Sequence, residues 1–411
     1  MKKALLATAV ASMAPALAVN VNAADIRWNG FASITGGITT SEAERIGDAN
    51  PATNEIRLYG YGDDDYNFRP ESKLALQASS NLGNGLSVTA QAMARGADDF
   101  NVEMEWAFVS YDFGDASRVN VGKLRIPFYQ YSDFLDVGYA YPWIRPPESV
   151  YDLFFSTMEG VNVQFNGAMG SWDSGVQLVL GRTADELLVS GAESQADLRN
   201  LWGGAWTINN DWLTLRAAYF QADTSITNPT LAALDGGLRL GGLTDIADSF
   251  SVNEDKGSFA GLGFKADNGN WLFAGEVTQI KVEDSFIADQ DSAYLTLGKT
   301  FNDLMFHITY EVQEDTRTDG ITAPAFPPSG VPSALCPATG PSNGTELLAC
   351  VEKATDAAEG KNQTVTVGMR YNFHPSASFK IDFSQRNFDT DGTYEVDGSA
   401  SVVRFSIDTI F

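Results

Sequence analysis

The chain has 411 residues, with 53 acidic against 27 basic side chains and a formal net charge of −26 at pH 7. Such acidity excludes nucleic-acid binding, which needs a basic face to neutralise phosphates. With only two cysteines and two histidines, neither a metal centre nor a cofactor site is expected.

Lys2 and Lys3 precede an apolar run from Ala4 to Val19, and Val21-Asn22-Ala23 offers small residues for cleavage, so residues 1–23 read as a secretory signal. Residues 24–411 then form a single mature domain. The apolar run falls short of the ~20 residues a spanning helix needs. No later stretch is long and apolar enough to cross a membrane as a helix. A secreted soluble protein or a transmembrane barrel remains, because only helices and closed barrels satisfy their backbone in lipid.

From residue 26 onward the sequence alternates at a period of two. The first segment, 26–38, needs a bulge near Gly30 to bring Ile26, Trp28 and Phe31 onto one face. Leu74, Leu76 and Ala78 alternate with Lys73, Gln77 and Ser79. In 102–113, Ala107, Val109, Tyr111 and Phe113 fit a lipid face, while Glu103 and Glu105 share their parity and are expected beyond the bilayer. Lys123 and Arg125 have outward parity unless Gly122 makes a bulge.

The connection 126–157 is dense in apolar and aromatic residues, including Phe128, Tyr129, Tyr131, Phe134, Tyr141, Trp143, Phe154 and Phe155. A solvated loop is not this apolar. It is expected to fold inward and pack on the wall, stiffened by Pro127, Pro142, Pro146 and Pro147, with Asp133, Asp136, Glu148 and Asp152 facing water. Further on, Leu213, Leu215, Ala217 and Tyr219 alternate with Thr214 and Arg216, and Leu304, Phe306, Ile308 and Tyr310 with Met305, His307 and Thr309.

Cys336 and Cys350 share a polar segment rich in Pro, Gly, Ser and Ala. In an exported protein they read as a disulfide, and closing a loop of about fifteen residues is worth ~3 kcal/mol in the chain-entropy model. The last residues, 399–411, place Val403, Phe405, Ile407 and terminal Phe411 on one face and Arg404 and Asp408 on the other. Lipid on one side and water on the other suits such a strand.

In all, about sixteen segments are joined by alternating short and long connections, the short ones being Asn, Asp, Gly and Pro clusters suited to tight hairpins. The long ones fall near 39–66, 95–101, 126–157, 182–200, 221–257, 282–290, 314–362 and 387–398. Segregation by length separates a membrane barrel from a secreted sandwich. Trp172, Trp212, Trp271 and Tyr371 sit at strand ends, where aromatic girdles lie. The expected fold is all-β, a closed antiparallel transmembrane barrel of about sixteen strands with its third long loop turned inward.

A signal segment, about sixteen alternating strands, the segment Gly122-Lys123-Leu124-Arg125-Ile126-Pro127-Phe128 before a special third loop, and a terminal Phe411 together resemble the general porins of Gram-negative outer membranes. The resemblance spans nearly the whole mature chain. It implies a water-filled channel for passive diffusion of small hydrophilic solutes and ions, narrowed by loop carboxylates opposite a basic wall. It further implies a homotrimer in outer-membrane lipid and lipopolysaccharide, inserted by the barrel assembly machinery.

Strand parity supplies the wall independently. Inward basic residues cluster on the last and first strands: Arg370, Lys380, Arg386 and Arg404, then Arg27, Arg69, Lys73 and Arg95. Closure makes these one arc, which set against Asp133, Asp136, Glu148 and Asp152 imposes a transverse field. Pairing with inward acids such as Asp382 and Asp408 is the competing use. A substrate-specific channel, for phosphate or another small solute, is the alternative function. A barrel enzyme is disfavoured because His307 and His374 have no assigned nucleophile partner. A surface-receptor role has no motif to support it.

Overall fold

The computed structural model describes residues 25–45, 55–62, 66–153, 155–189, 192–240, 242–317, 351, 360–389 and 396–411. The expected signal, the pair Cys336 and Cys350, and Phe154 lie outside them.

Sixteen antiparallel strands close into one barrel. The first half comprises β1 (Ile26–Ser41), β2 (Lys73–Gly83), β3 (Leu86–Arg95), β4 (Val102–Asp112), β5 (Ser117–Arg125), β6 (Thr157–Met169), β7 (Trp172–Val189) and β8 (Ala192–Asn210). The second comprises β9 (Leu213–Thr227), β10 (Asn253–Asp267), β11 (Trp271–Val282), β12 (Asp289–Phe301), β13 (Leu304–Thr316), β14 (Gly360–His374), β15 (Ala377–Asp389) and β16 (Ser399–Ile410). Each strand pairs with the next in sequence, and β16 returns to β1 with Ile410 opposite Phe31 and Arg404 opposite Gly37. Closure removes the unpaired edge that a sheet cannot expose to lipid.

Burial along the strands is the reverse of a soluble protein's. On β15, Lys380, Asp382 and Ser384 are wholly buried, while Ile381 and Phe383 between them are 40% and 42% exposed. The buried polar face looks into the barrel and the exposed apolar face looks out, as lipid on the outside requires. The short connections are tight: Asn84 and Gly85, joining β2 to β3, both have positive φ, 52° and 80°, the mirror-image turn that matches strand twist. At the other end, the strands Ala43–Arg45, Glu55–Ile56 and Val396–Asp397 form a small sheet from the first and last long connections. Helices α1 (Pro229–Leu240) and α2 (Thr244–Phe250) cap the fifth, around Leu234, Leu238 and Phe250.

Three local expectations are corrected. The register between β1 and β2 runs without a break from Ile26 to Ser33, so there is no bulge at Gly30; Phe31 turns inward instead and is buried beside Ala75 and Met93. Between β3 and β4 the register shifts at Gln91 and Ala92, where Gln91 faces Trp106 and Ala92 faces Met104. The extra residue is Glu105, which this bulge turns inward to 5% exposure. The connection at 182–200 is shorter than the sequence indicated, because β7 and β8 continue pairing up to Val189 and Ala192.

Candidate functional site

The third long connection leaves β5 at Arg125 and enters the barrel. In a water-filled lumen its apolar residues gain by leaving water, so Phe128, Tyr129, Tyr131, Tyr141 and Trp143 bury themselves against inward aromatics of the wall. The Phe128 ring lies 4.9 Å from Phe220 on β9 and 5.0 Å from Phe259 on β10, and Trp143 lies 5.8 Å from Tyr294 on β12. Burial of each Phe-sized side chain is worth about 1.5–3 kcal/mol. The aromatic contacts lie on β9, β10 and β12, and the same cluster extends along the wall to Leu124 on β5, Met158 on β6, Val179 on β7 and Leu201 on β8.

Hydrogen bonds then tie the loop to successive strands. The Gln130 amide donates to Glu276 on β11 at 2.7 Å, and Tyr151 and Tyr294 hydroxyls donate to the other oxygen of that carboxylate. Trp143 Nε1 donates to Thr309 on β13 at 2.7 Å, and the Ile144 amide to Asp382 on β15 at 2.9 Å. Arg216 on β9 donates to the Pro127 carbonyl. Buried main-chain groups of an irregular segment need such partners.

Most of the basic residues singled out from the sequence meet this loop. Lys380 Nζ donates to the carbonyls of Gly138 and Trp143 at 2.5 and 2.6 Å and lies 3.0 Å from Asp408. Arg370 donates to the Tyr141 carbonyl, and Arg386 pairs with Glu148 at 2.6 Å. Arg404 pairs instead with Glu71, from the connection before β2, and stacks on Tyr59. Two stand apart: Arg69 is exposed and paired with Asp99, and Arg27 is exposed near the start of β1.

The remaining two, Lys73 and Arg95, converge on Asp136, which was expected to face water and is instead buried, at 9% exposure. Lys73 Nζ is 3.3 Å and an Arg95 nitrogen 3.8 Å from its carboxylate, and Arg125 is closer still at 2.5 Å. Glu105 completes the cluster, 2.7 Å from Arg95 and 3.1 Å from Arg125. Burial would raise the Asp136 pKa, but Lys73, Arg125 and Arg95 outweigh it and hold the carboxyl well below the usual range. Glu148 is lowered in the same way, with Arg145 and Arg386 overcoming burial. Asp133 is exposed and accepts a hydrogen bond from Gln177, and Asp152 accepts one from Gln290.

Parity alone missed Glu105 and left Arg125 unassigned. The signal for Glu105 was present as two carboxylates breaking an otherwise apolar face. Gly122, with φ of 143°, brings β5 so close to β4 that a Cβ there would meet the Ala107 carbonyl at 2.3 Å. Glu276 gave no signal, because its role depends on Tyr151 and Tyr294 arriving from distant positions. His307 is wholly buried, 3.3 Å from Asp382.

A barrel of sixteen strands whose third long connection packs into the lumen matches solved structures over almost its full length. The outer membrane channel DcaP of Acinetobacter baumannii aligns with a TM-score of 0.55 at 11% identity, over 94% of this chain and 97% of its own. The fold is that of a sixteen-stranded outer-membrane porin. OmpF of Salmonella typhi, solved with daunomycin, aligns with a TM-score of 0.54 at 13% identity, over 94% and 98%. An anion-selective porin from Comamonas acidovorans gives 0.52 at 12%, over 94% and 100%. No family model matches the sequence, and no curated protein matches it. The fold is thus shared with these structures at only 11–13% sequence identity.

Proposed function

We propose that the chain is a passive, water-filled channel of the outer membrane for small hydrophilic solutes and ions, without turnover chemistry. The observation that carries this reading is a closed barrel with a polar inner face, whose third loop is fixed inside it by aromatic packing and by ion pairs. In it, Asp133 and Asp136 edge the passage, with Lys73, Arg95 and Arg125 facing them; Arg370, Lys380 and Arg386 act as the loop's moorings. Glu148 and Asp152 lie on the loop's return limb.

Residues 1–23 direct export in this proposal, a Cys336–Cys350 disulfide staples the seventh long connection, and Phe411 is read by the barrel assembly machinery. Homotrimers in lipid and lipopolysaccharide are part of it, supported by a row of small outward residues: Ala78 pairs with Ala90, and Ala90 with Ala107. Such a strip lets neighbouring barrels approach closely. A specific anion channel is the second reading, favoured by three cations around Asp136; block of the current by phosphate would select it. The direct test is swelling of proteoliposomes in sugars of graded size. Swelling that declines with solute size supports diffusion through a hole, and none above empty liposomes would contradict it.

A further inference from the structure

The inward positions of β2–β7 carry a run of neutral amides. Gln77 on β2 lies directly opposite Gln91 on β3, Asn120 on β5 opposite Asn162 on β6, and Gln164 on β6 opposite Gln177 on β7. They form a partly linked band: Gln91 Nε2 and the Trp106 indole N–H both reach Gln77 Oε1, at 3.4 and 3.2 Å, and Asn162 Nδ2 reaches Gln177 Oε1 at 3.5 Å. Gln91 and Asn162 are buried, at 5% exposure each, so they back the band and the groups it offers to a solute are those of its more exposed members. Gln77, Gln164 and Gln177 are the half-buried members in front.

The charges beside this band cancel. Lys73, Arg95 and Arg125 stand against Asp136 and Glu105, every one within 3.8 Å of an opposite charge. Asp133, bonded to Gln177 at 3.3 Å, brings the count to three of each sign. A passage with compensated charge on one edge and amide donors and acceptors on the other gives an ion little in exchange for its hydration shell. It offers a neutral solute replacement hydrogen bonds at each step.

We infer that this amide band is the selectivity surface of the channel, and that it favours small uncharged solutes rich in hydrogen-bonding groups, such as polyols and sugars, over ions of equal size. The inference rests on the channel reading above, and its test separates the two. Purified protein in proteoliposomes is challenged with arabinose, sodium arabinonate and Tris hydrochloride, so that neither charged solute is much larger than the sugar, and in planar bilayers with a KCl gradient. The expected result is faster swelling in arabinose than in either charged solute and a reversal potential close to zero.

Gln164→Leu should slow arabinose entry by about fivefold, the worth of one net hydrogen bond, while leaving KCl conductance nearly unchanged. Gln164→Glu combined with Gln177→Glu keeps the side-chain volume and should create cation preference. Charged solutes entering as fast as arabinose, or Gln164→Leu slowing arabinose and KCl alike, would overturn the amide band while leaving the channel intact. Absence of both swelling and conductance would overturn the channel itself.

Discussion

Replacing Asp136 by Asn is the most informative single perturbation of the passage. It removes one negative charge from a cluster of three cations and two carboxylates and leaves Lys73, Arg95 and Arg125 facing Glu105 alone. A unit charge about 6 Å from an ion's path contributes ~0.7 kcal/mol in water, and screening at 0.1 M salt leaves roughly half of that. Cation occupancy should then fall and anion occupancy rise by about twofold each, since 1.4 kcal/mol corresponds to roughly tenfold. The permeability ratio moves about fourfold toward anions. Removing one partner of a buried pair costs up to about 3–5 kcal/mol, but the aromatic packing of Phe128, Tyr131 and Trp143 and the Lys380 tie to the loop remain. The assay is the reversal potential under a KCl gradient, with heat-modifiable gel mobility confirming a folded barrel. A folded variant with an unchanged reversal potential would refute the placement of Asp136 beside the passage.

Replacing Lys380 by Met leaves Asp408 buried without its cation and frees the carbonyls of Gly138 and Trp143; the loop should loosen, giving larger and noisier single-channel currents, and quiet currents of normal size would count against its role as a mooring. Deleting Phe411 removes the two main-chain hydrogen bonds it exchanges with Gly30, at 2.8 and 2.9 Å, each worth about 1 kcal/mol, and should lower the yield of heat-modifiable barrel; a normal yield would contradict its part in closing the seam. Gly30→Val should act similarly, because a Cβ there would sit 2.4 Å from the Phe411 ring, and an unaffected yield would show that the ring yields freely. Asp136 and Glu148 are held below their ordinary values by neighbouring cations. A depressed carboxyl contributes stability that is fully present above its unfolded value of about 4 and is lost only as pH falls through the lower folded value. These two ion pairs should therefore hold down to about pH 4, so the shift in reversal potential caused by Asp136→Asn should be the same at pH 5 as at pH 7, and its loss at pH 5 would contradict this account of the pair.

The barrel was legible because strand parity is a local property: Lys380, Asp382 and Ser384 against Ile381 and Phe383 state which side is wet without any tertiary knowledge. Connection lengths were nearly as informative, and the apolar third loop announced its own burial. Bulges were less accessible. Phe31 looked like a lipid-facing residue and needed no bulge, whereas the bulge at Glu105 depends on how β3 and β4 align and brings its carboxylate to Arg95 and Arg125. Parity found most of the inward cations and one partner, Asp408 for Lys380, but not the loop partners, because a pair such as Arg386 with Glu148 joins residues far apart in sequence through the path of the loop. The exposed Arg69 shows the same limit: it lies in a bend of the connection before β2, beyond the strand whose parity was used to place it.

The central claim is that this barrel conducts, and single-channel recording of the purified, refolded protein in a planar bilayer tests it most directly. The account predicts stable ohmic steps with weak selectivity between potassium and chloride. A folded, heat-modifiable barrel that produces no conductance steps in repeated insertions would contradict it.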